Sequence, residues 1–357
     1  MQTVSTLISV SLSLVLLLQP AYASDTDFVD VLDRPASHST LSSRSLMLDV
    51  THAGERLIVV GQRGHIIYSD DKGHNWQQGN VPASSDLTAV SFPTPQQGWA
   101  VGHDGLVLHS ADGGVNWVKQ LDGRQIGTLM LNYYIAQASA HPGEQRYIEL
   151  IDESHRFMAE GADKPFLDVW FENSTSGYIV GAFNLIFRTD DGGQTWTPQQ
   201  HLVDNPYALH LNAITQAGES LYIAGEQGLL LKKEPHNQQF VTLPSPYEGS
   251  FFGLLGNSTQ LVAYGLRGHA FLSTNEGETW TTINTGTSAS LTTATRDAQG
   301  RLFLFCQDGQ VLMSEDNGLN FTSLASNTLP LIAGVAVERD EYLVLVGAQG
   351  VHLLTVK

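Results

Sequence analysis

The residues whose types and spacing carry the most chemistry sit in copies of one short pattern, Ser/Thr-x-Asp-x-Gly-x-Asn/Thr-Trp. Asp71, Gly73 and Trp76 form the first copy, Asp112, Gly114 and Trp117 the second, and Asp191, Gly193 and Trp196 the third. A further copy carries Asn275 in place of the carboxylate, ahead of Gly277 and Trp280, and another ends Asp316, Gly318, Phe321. Three chemistries would use such carboxylates. Calcium binding needs a run of alternating carboxylates, which these loops lack. Acid–base hydrolysis of a glycosidic bond needs two carboxyl groups about 5–9.5 Å apart across a cleft, a spacing that sequence does not display. The third use is structural: the Asp accepts from nearby backbone N–H groups, and the Gly adopts a backbone angle closed to other residues. The loops fit this third use, with the closing Trp or Phe expected to pack between neighbouring sheets.

Other reactive patterns are missing from the sequence. It has no His-Glu-x-x-His, no Cys pair, no Gly-x-Ser-x-Gly elbow and no phosphate-binding Gly loop, and its 13 His are dispersed. His65 and His269 each follow an Arg-Gly and read as surface residues beside turns. Cys306 is the single cysteine, so no intramolecular disulfide forms, and it reads as a small buried residue. No metal, cofactor or catalytic residue is expected.

The elements that hold these loops repeat along the chain. Residues 97–117 are a template copied at 56–76, 176–196, 220–240, 260–280 and 301–321, with a shortened seventh copy at 341–357, at a period of about 41 residues. In each copy an apolar run ends in Gly (Cys306 in the sixth), a tight turn follows, and a second strand leads into the loop. This is a β-hairpin. An apolar strand precedes each hairpin (Leu46–Val50, Leu87–Phe92, Leu167–Phe171, Leu211–Thr215, Phe252–Leu255, Leu291–Thr295 and Ile332–Val337), giving four strands per repeat. The fold class that follows is all-β, a seven-bladed β-propeller with Asp-box repeats. The fourth copy has lost the box. The seventh lacks its outer strand, which Asp27–Asp33 is expected to supply to close the ring.

One interval breaks the period. Gly102 and Gly181 are 79 residues apart, against 40–44 for the other pairs. The excess, about 121–165, is a partly helical insertion between blades 2 and 3. Tyr147, Leu150, Ile151, Ser154 and Met158 mark one amphipathic helix between Pro142 and Gly161, and Leu129–Ala138 a second. The connection lies on the face of the hairpin turns, where the channel opens, and long insertions on one face of a repeat array often form its binding surface. Deletion of Gly123–Asp163 is expected to leave the ring folded. The turn tips, taken as Gln62-Arg63, His103-Asp104, Phe183-Asn184, Glu226-Gln227, Leu266-Arg267, Gln307-Asp308 and Ala348-Gln349, vary in charge and size on a constant scaffold, which suits recognition. Arg63, His103, Asp104, Phe183, Glu226 and Arg267 are the candidate partner contacts.

Lys+Arg is 18 against Asp+Glu at 36, a net charge of −18, which argues against nucleic acid or anionic lipid as a partner. Residues 1–23 read as a signal peptide, an apolar Leu7–Leu18 followed by Ala21-Tyr22-Ala23, with 24–357 as the mature propeller. An exported, periplasmic monomer without a membrane-inserted segment follows.

The repeat Gly-x-x-Gly-x-(apolar)-x-x-Ser/Thr-x-Asp-Gly-Gly-x-Thr/Asn-Trp, clearest at Gly102–Trp117 and Gly181–Trp196, resembles the Ycf48/Hcf136 family of photosystem II assembly factors over about 45–357. The resemblance implies a seven-bladed, non-enzymatic scaffold that holds a membrane-protein intermediate during assembly. It also implies an arginine-rich binding face, of which only Arg63 and Arg267 fall on turns here. The alternative is a carbohydrate-active Asp-box glycosidase. The sialidase form of it needs an arginine triad and a Phe/Tyr-Arg-Ile-Pro segment, and the segment is absent from the sequence.

Overall fold

In the computed structural model, which describes residues 28–324, 329–338 and 342–356, every repeat becomes an antiparallel sheet. Blade 1 is built from Met47–Ala53, Arg56–Gly61, Ile66–Ser69 and Gln77–Gln78, and blades 2 to 6 repeat this meander with four strands each. Blade 7 has three: Ile332–Glu338, Tyr342–Gly347 and Gly350–Thr355. The signal-peptide reading of residues 1–23 lies outside the described residues.

Each blade buries its apolar faces against its neighbours. Ile58, Val60 and Tyr68 meet Val90, Ala100 and Leu108 between blades 1 and 2. Strands such as Leu57–Val60 are buried on both faces, so they read as continuous apolar runs without polar alternation. Met47, Val50, Leu57, Val59 and Ile67 meet Ala336, Val344 and Val346 at the seam that closes the ring. The closing aromatics of the boxes enter the seam with the preceding blade: Trp117 against blade 1, Trp196 against blade 2, Trp280 against blade 4, Phe321 against blade 5 and Trp76 against blade 7.

The boxes work as local hydrogen-bond knots. In blade 2, Ser110 Oγ donates to Asp112 Oδ1 (2.9 Å) and accepts from the Gly114 N–H (2.9 Å). Asp112 also accepts from the Asn116 N–H (2.9 Å) and side-chain amide (2.7 Å), and the Trp117 indole donates to the Gly114 carbonyl (3.0 Å). Gly114 needs its positive φ of 84°, and a Cβ there would lie 2.7 Å from Ile58 Cδ1. Ser69, Thr189, Ser273 and Ser314 repeat the bond to the box glycine. The Asn75 hydrogen bonds hold the Asp71 carboxyl down at about 2, and Asn320 does the same for Asp316.

At the axis, side chains bolt one inner strand to the next. Asp49 Oδ1 accepts from Val50 (2.8 Å) and Oδ2 from Val90 of blade 2 (2.9 Å). Asp168 spans blades 3 and 4 in the same way, through Val169 and Ile214, at 2.8 Å each. Thr88, Asn212 and Thr292 cross their seams in the opposite sense, donating to the carbonyls of Phe166 (2.8 Å), Phe251 (2.8 Å) and Ile332 (2.6 Å). In blade 5 the aspartate position is Gly253, where a Cβ would lie 2.1 Å from the Tyr264 hydroxyl; that hydroxyl fills the slot and reaches Thr293 and the Ala294 backbone. Burial pushes Asp49 up to about 7, and burial with the charge of Asp49 does the same to Asp168.

Two expectations are corrected. The segment Asp27–Asp33, described from Phe28, is not the fourth strand of blade 7. It crosses the seam of blades 1 and 2 instead: Leu32 is buried there, Ser84 donates to the Val31 carbonyl, and Asp33 forms a two-pronged ion pair with Arg124 at 2.7 and 2.9 Å. Blade 7 therefore closes through side chains, including the Tyr342 hydroxyl on the Lys72 carbonyl at 2.7 Å. In blades 1, 2, 4 and 5 the turn register is also one residue later than read. His65 N–H bonds the Gln62 carbonyl, so Arg63 and Gly64 are the central pair, at φ 56° and 69°, a type I′ turn. Blade 3 keeps Phe183-Asn184, blade 6 Gln307-Asp308 and blade 7 Ala348-Gln349 as read, with Gly309 and Gly350 in the left-handed region.

Ser110→Ala leaves the buried Gly114 N–H without its acceptor and is expected to cost about 1–3 kcal/mol in urea unfolding; a loss below about 0.5 kcal/mol would show that the knot contributes little to the blade. The channel aspartates set a pH dependence. Because their folded values lie above the ordinary 3.8, their contribution is complete at low pH and is lost as pH rises through about 7. Thermal melts between about pH 5.5 and pH 8.5 should fall more steeply with pH for the native chain than for Asp49→Asn/Asp168→Asn; parallel curves would contradict this.

Candidate functional site

The channel-mouth face is built from the type I′ turns and from the connections that carry each blade into the next. A type I′ turn puts its first central residue in the left-handed region with its side chain out, so Arg63, Asp104, Phe183, Gln227 and Arg267 are the tips, at φ 50–57°. The strand-ending glycines make this geometry accessible: a Cβ on Gly102 would stand 2.1 Å from the Asp86 carbonyl oxygen.

The six candidate contacts do not form one cluster. Arg63, His103 and Arg267 are exposed on blades 1, 2 and 5. Asp104 accepts from Ser85 Oγ at 2.5 Å and braces its own turn. Phe183 and Glu226 do converge, through His210. The His210 ring meets Phe183 edge-on at 4.7 Å, and both its Nδ1 (3.0 Å) and its backbone N–H (2.9 Å) bond Glu226 Oε2.

The insertion meets the turns at this point. It consists of helix α1 (Gly123–Ala140) and helix α2 (Gln145–Glu160), both longer than the apolar spacing marks out. Asp122 caps α1 in a reciprocal box with Gln125. Ile126, Met130, Tyr134, Tyr147 and Phe157 pack into one core with Trp99, Phe166, Phe171, Phe187 and Trp196 of blades 2 and 3, and the Tyr134 hydroxyl donates to Gln200 Oε1 at 2.6 Å. The expectation that deletion of Gly123–Asp163 spares the ring sits badly with this shared core. Met158, placed by its spacing on the packed face, is half exposed, and Phe157 is buried in its stead.

Between α2 and the blade 3 turn lies a cleft of about 410 Å³, lined by Arg156, Phe157, Lys164, Phe183 and Tyr207. Phe183 is 47% and Tyr207 83% exposed. Lys164 is buried beneath them, its Nζ 4.9 Å from the Phe157 ring centre and 5.7 Å from that of Phe183. Burial works against its charge, but Asp163 and Glu160 (2.6 Å) more than compensate and hold its pKa up. Lys164 and Tyr207 were not among the residues read from sequence. Their only signal was position, since both lie in connections between an outer strand and the next inner strand.

The channel itself places two carboxylates, Asp49 and Asp168, in one opening with Phe252 and Tyr264. All four carboxylate oxygens are occupied by backbone N–H groups of the seams, so the pair is committed to holding strands together.

The sequence profile of the family described as Photosynthesis system II assembly factor YCF48 matches residues 31–133 and 152–323. A Photosystem II assembly protein Ycf48 from Synechococcus sp. (strain JA-2-3B'a(2-13)) is 31% identical over 165 residues, covering 42% of this chain and 46% of its own. A Photosystem II assembly lipoprotein Ycf48 from Synechococcus sp. (strain CC9902) is 28% identical over 138 residues, covering 38% and 41%. The matched parts thus span about half the length of these relatives or less. Among solved structures, YCF48 bound to D1 peptide superposes with a TM-score of 0.64 at 16% identity, covering 88% of this chain and 94% of that one. YCF48 from Cyanidioschyzon merolae gives 0.63 at 14% identity, covering 90% and 98%. At these identities the structures speak for the propeller fold alone. With the profile matching most of the ring, the chain belongs to the Ycf48 family of photosystem II assembly factors.

Proposed function

We propose that this protein is an exported, non-enzymatic assembly factor that holds a segment of a membrane or envelope protein on its channel-mouth face, acting as a monomer. Membership of an assembly-factor family supports binding over turnover. A relative named as a lipoprotein supports export, and no described helix is long and apolar enough to cross a membrane. A related propeller is known as YCF48 bound to D1 peptide, which supports a peptide as the form of the bound segment.

The observation that carries the reading is the aromatic cleft at the junction of α2 and blade 3. Exposed Phe183 and Tyr207 flank Lys164 there, whose charge is held by Glu160 and Asp163, and large exposed aromatics are the residues that anchor protein interfaces. Arg63 and Arg267 on the same face supply further positive tips on a chain whose net charge is −18. They favour a partner segment that presents carboxylates.

Affinity capture of the tagged protein from its native envelope, followed by quantitative mass spectrometry, tests this. Phe183→Ala/Tyr207→Ala should lower recovery of the captured partner by about tenfold, with its melting temperature within about 2 °C of the native protein. Equal recovery by the double variant would overturn the assignment of the cleft. Surface substitutions are the sharper probe, because deleting the insertion also removes core side chains.

A further inference from the structure

The seam between blades 3 and 4 departs from the repeat on the face opposite the channel mouth. At two other seams on that face a tyrosine hydroxyl donates to the loop of the next Asp-box. Tyr222, three residues before the strand-ending Gly225, donates to the Glu276 carbonyl at 3.4 Å, and its cross-strand partner Lys232 is neutralised by the Glu276 carboxylate at 2.6 Å. At the closing seam Tyr342 finds the carbonyl of Lys72, which holds the corresponding place in the first box.

Blade 3 carries the same pair, Tyr178 opposite Arg188, three residues before Gly181. Blade 4, however, has no box. Lys233 stands where the other blades have the box Ser or Thr, and Pro235 where they have the Asp. Among the described residues no loop carbonyl reaches Tyr178. The residue is 4% exposed; the Arg188 guanidinium approaches its hydroxyl as a donor, and no group among the described residues accepts the hydroxyl's proton. A pocket of about 170 Å³ opens beside it, walled by Trp170.

Two cations line the pocket, Arg188 and Lys233. Lys233 Nζ lies 5.1 Å from the Tyr178 ring centre, with no carboxylate in ion-pair contact among the described residues. Arg188 is taken by Asp190 (2.6 Å) and Gln238 (3.2 Å). The carboxylates of Glu172, Glu219 and Glu234 line it too, with Glu172 and Glu219 exposed at the surface. Tyr178 therefore lacks the carbonyl acceptor that Tyr222 and Tyr342 have, while three carboxylates line the same pocket. Rim carboxylates repel a multiply charged anion such as phosphate. The volume suits a ligand smaller than the drug-sized range of about 300–1,000 Å³.

We propose that this seam binds a free amino acid, its carboxylate on Lys233 and Tyr178 and its ammonium toward the rim glutamates. The Lys233 stem is flexible, so its head swings onto the carboxylate and admits an oxygen to the hydroxyl. The site is separate from the channel-mouth cleft, and its test does not depend on that reading.

Isothermal titration of the full chain with each standard L-amino acid decides the matter, with inorganic phosphate and the decarboxylated amine of each binder run alongside. At least one amino acid should bind with a Kd at or below about 1 mM, and its amine about tenfold more weakly. Tyr178→Phe, which removes only the orphaned hydroxyl, and Lys233→Ala should each weaken binding about tenfold while the melting temperature holds. Absence of binding at about 10 mM of any amino acid, tighter binding of phosphate, or full affinity in both variants would overturn the proposal.

Discussion

The ring depends on the seam between one sheet and the next. A four-stranded blade cannot bury both of its faces alone, so each relies on two neighbours, and the last must meet the first. Among the described residues blade 7 does so with three strands of its own. Its Ala336, Val344 and Val346 pack on Met47, Val50 and Val59, and Tyr342 adds a hydrogen bond to the Lys72 carbonyl. At the axis the seams are also bolted by polar side chains. Asp49 and Asp168 accept from the next blade, while Thr88, Asn212 and Thr292 donate to it. Both devices meet the same requirement, that backbone groups at the bulged start of an inner strand keep a partner when the strand turns away from its neighbour.

The same constraint explains why recognition falls on one rim. The strand-ending glycines leave little freedom, because a Cβ on Gly61, Gly102 or Gly181 would meet a backbone carbonyl oxygen at 2.1–2.3 Å, and one on the box glycine Gly114 would meet Ile58 at 2.7 Å. The type I′ tips and outer-to-inner connections are free to vary. Blade 2 uses its connection most heavily, sending out two helices whose inner faces rejoin the core through Tyr134, Tyr147 and Phe157. The insertion is thus both support and surface. Its packing against blade 3 is what presents Phe183, Tyr207 and Lys164 around one cleft.

Where one copy of the repeat decays, chemistry appears that the intact copies suppress. Loss of the box in blade 4 removes a carbonyl, and Tyr178 keeps a hydroxyl whose counterpart in blade 4, Tyr222, is satisfied. A repeat protein supplies its own internal control for such a comparison.

The sequence by itself determined the number of blades, the place of the insertion and the roles of the box residues. These follow from interactions within one repeat: Ser110, Asp112, Gly114 and Trp117 bond one another across at most seven residues, so spacing carries the information. It also marked the exposed tips Arg63, Phe183 and Arg267, because glycine punctuation locates a tight turn to within one residue. Only the tertiary structure decided what joins distant repeats. Asp49 and Asp168 look like any other carboxylate until the ring brings Val90 and Ile214 onto them. Leu32 found the blade 1–2 seam rather than the edge of blade 7, and Lys164 met Phe183 across the insertion, since such contacts depend on which surfaces the closed ring leaves uncovered.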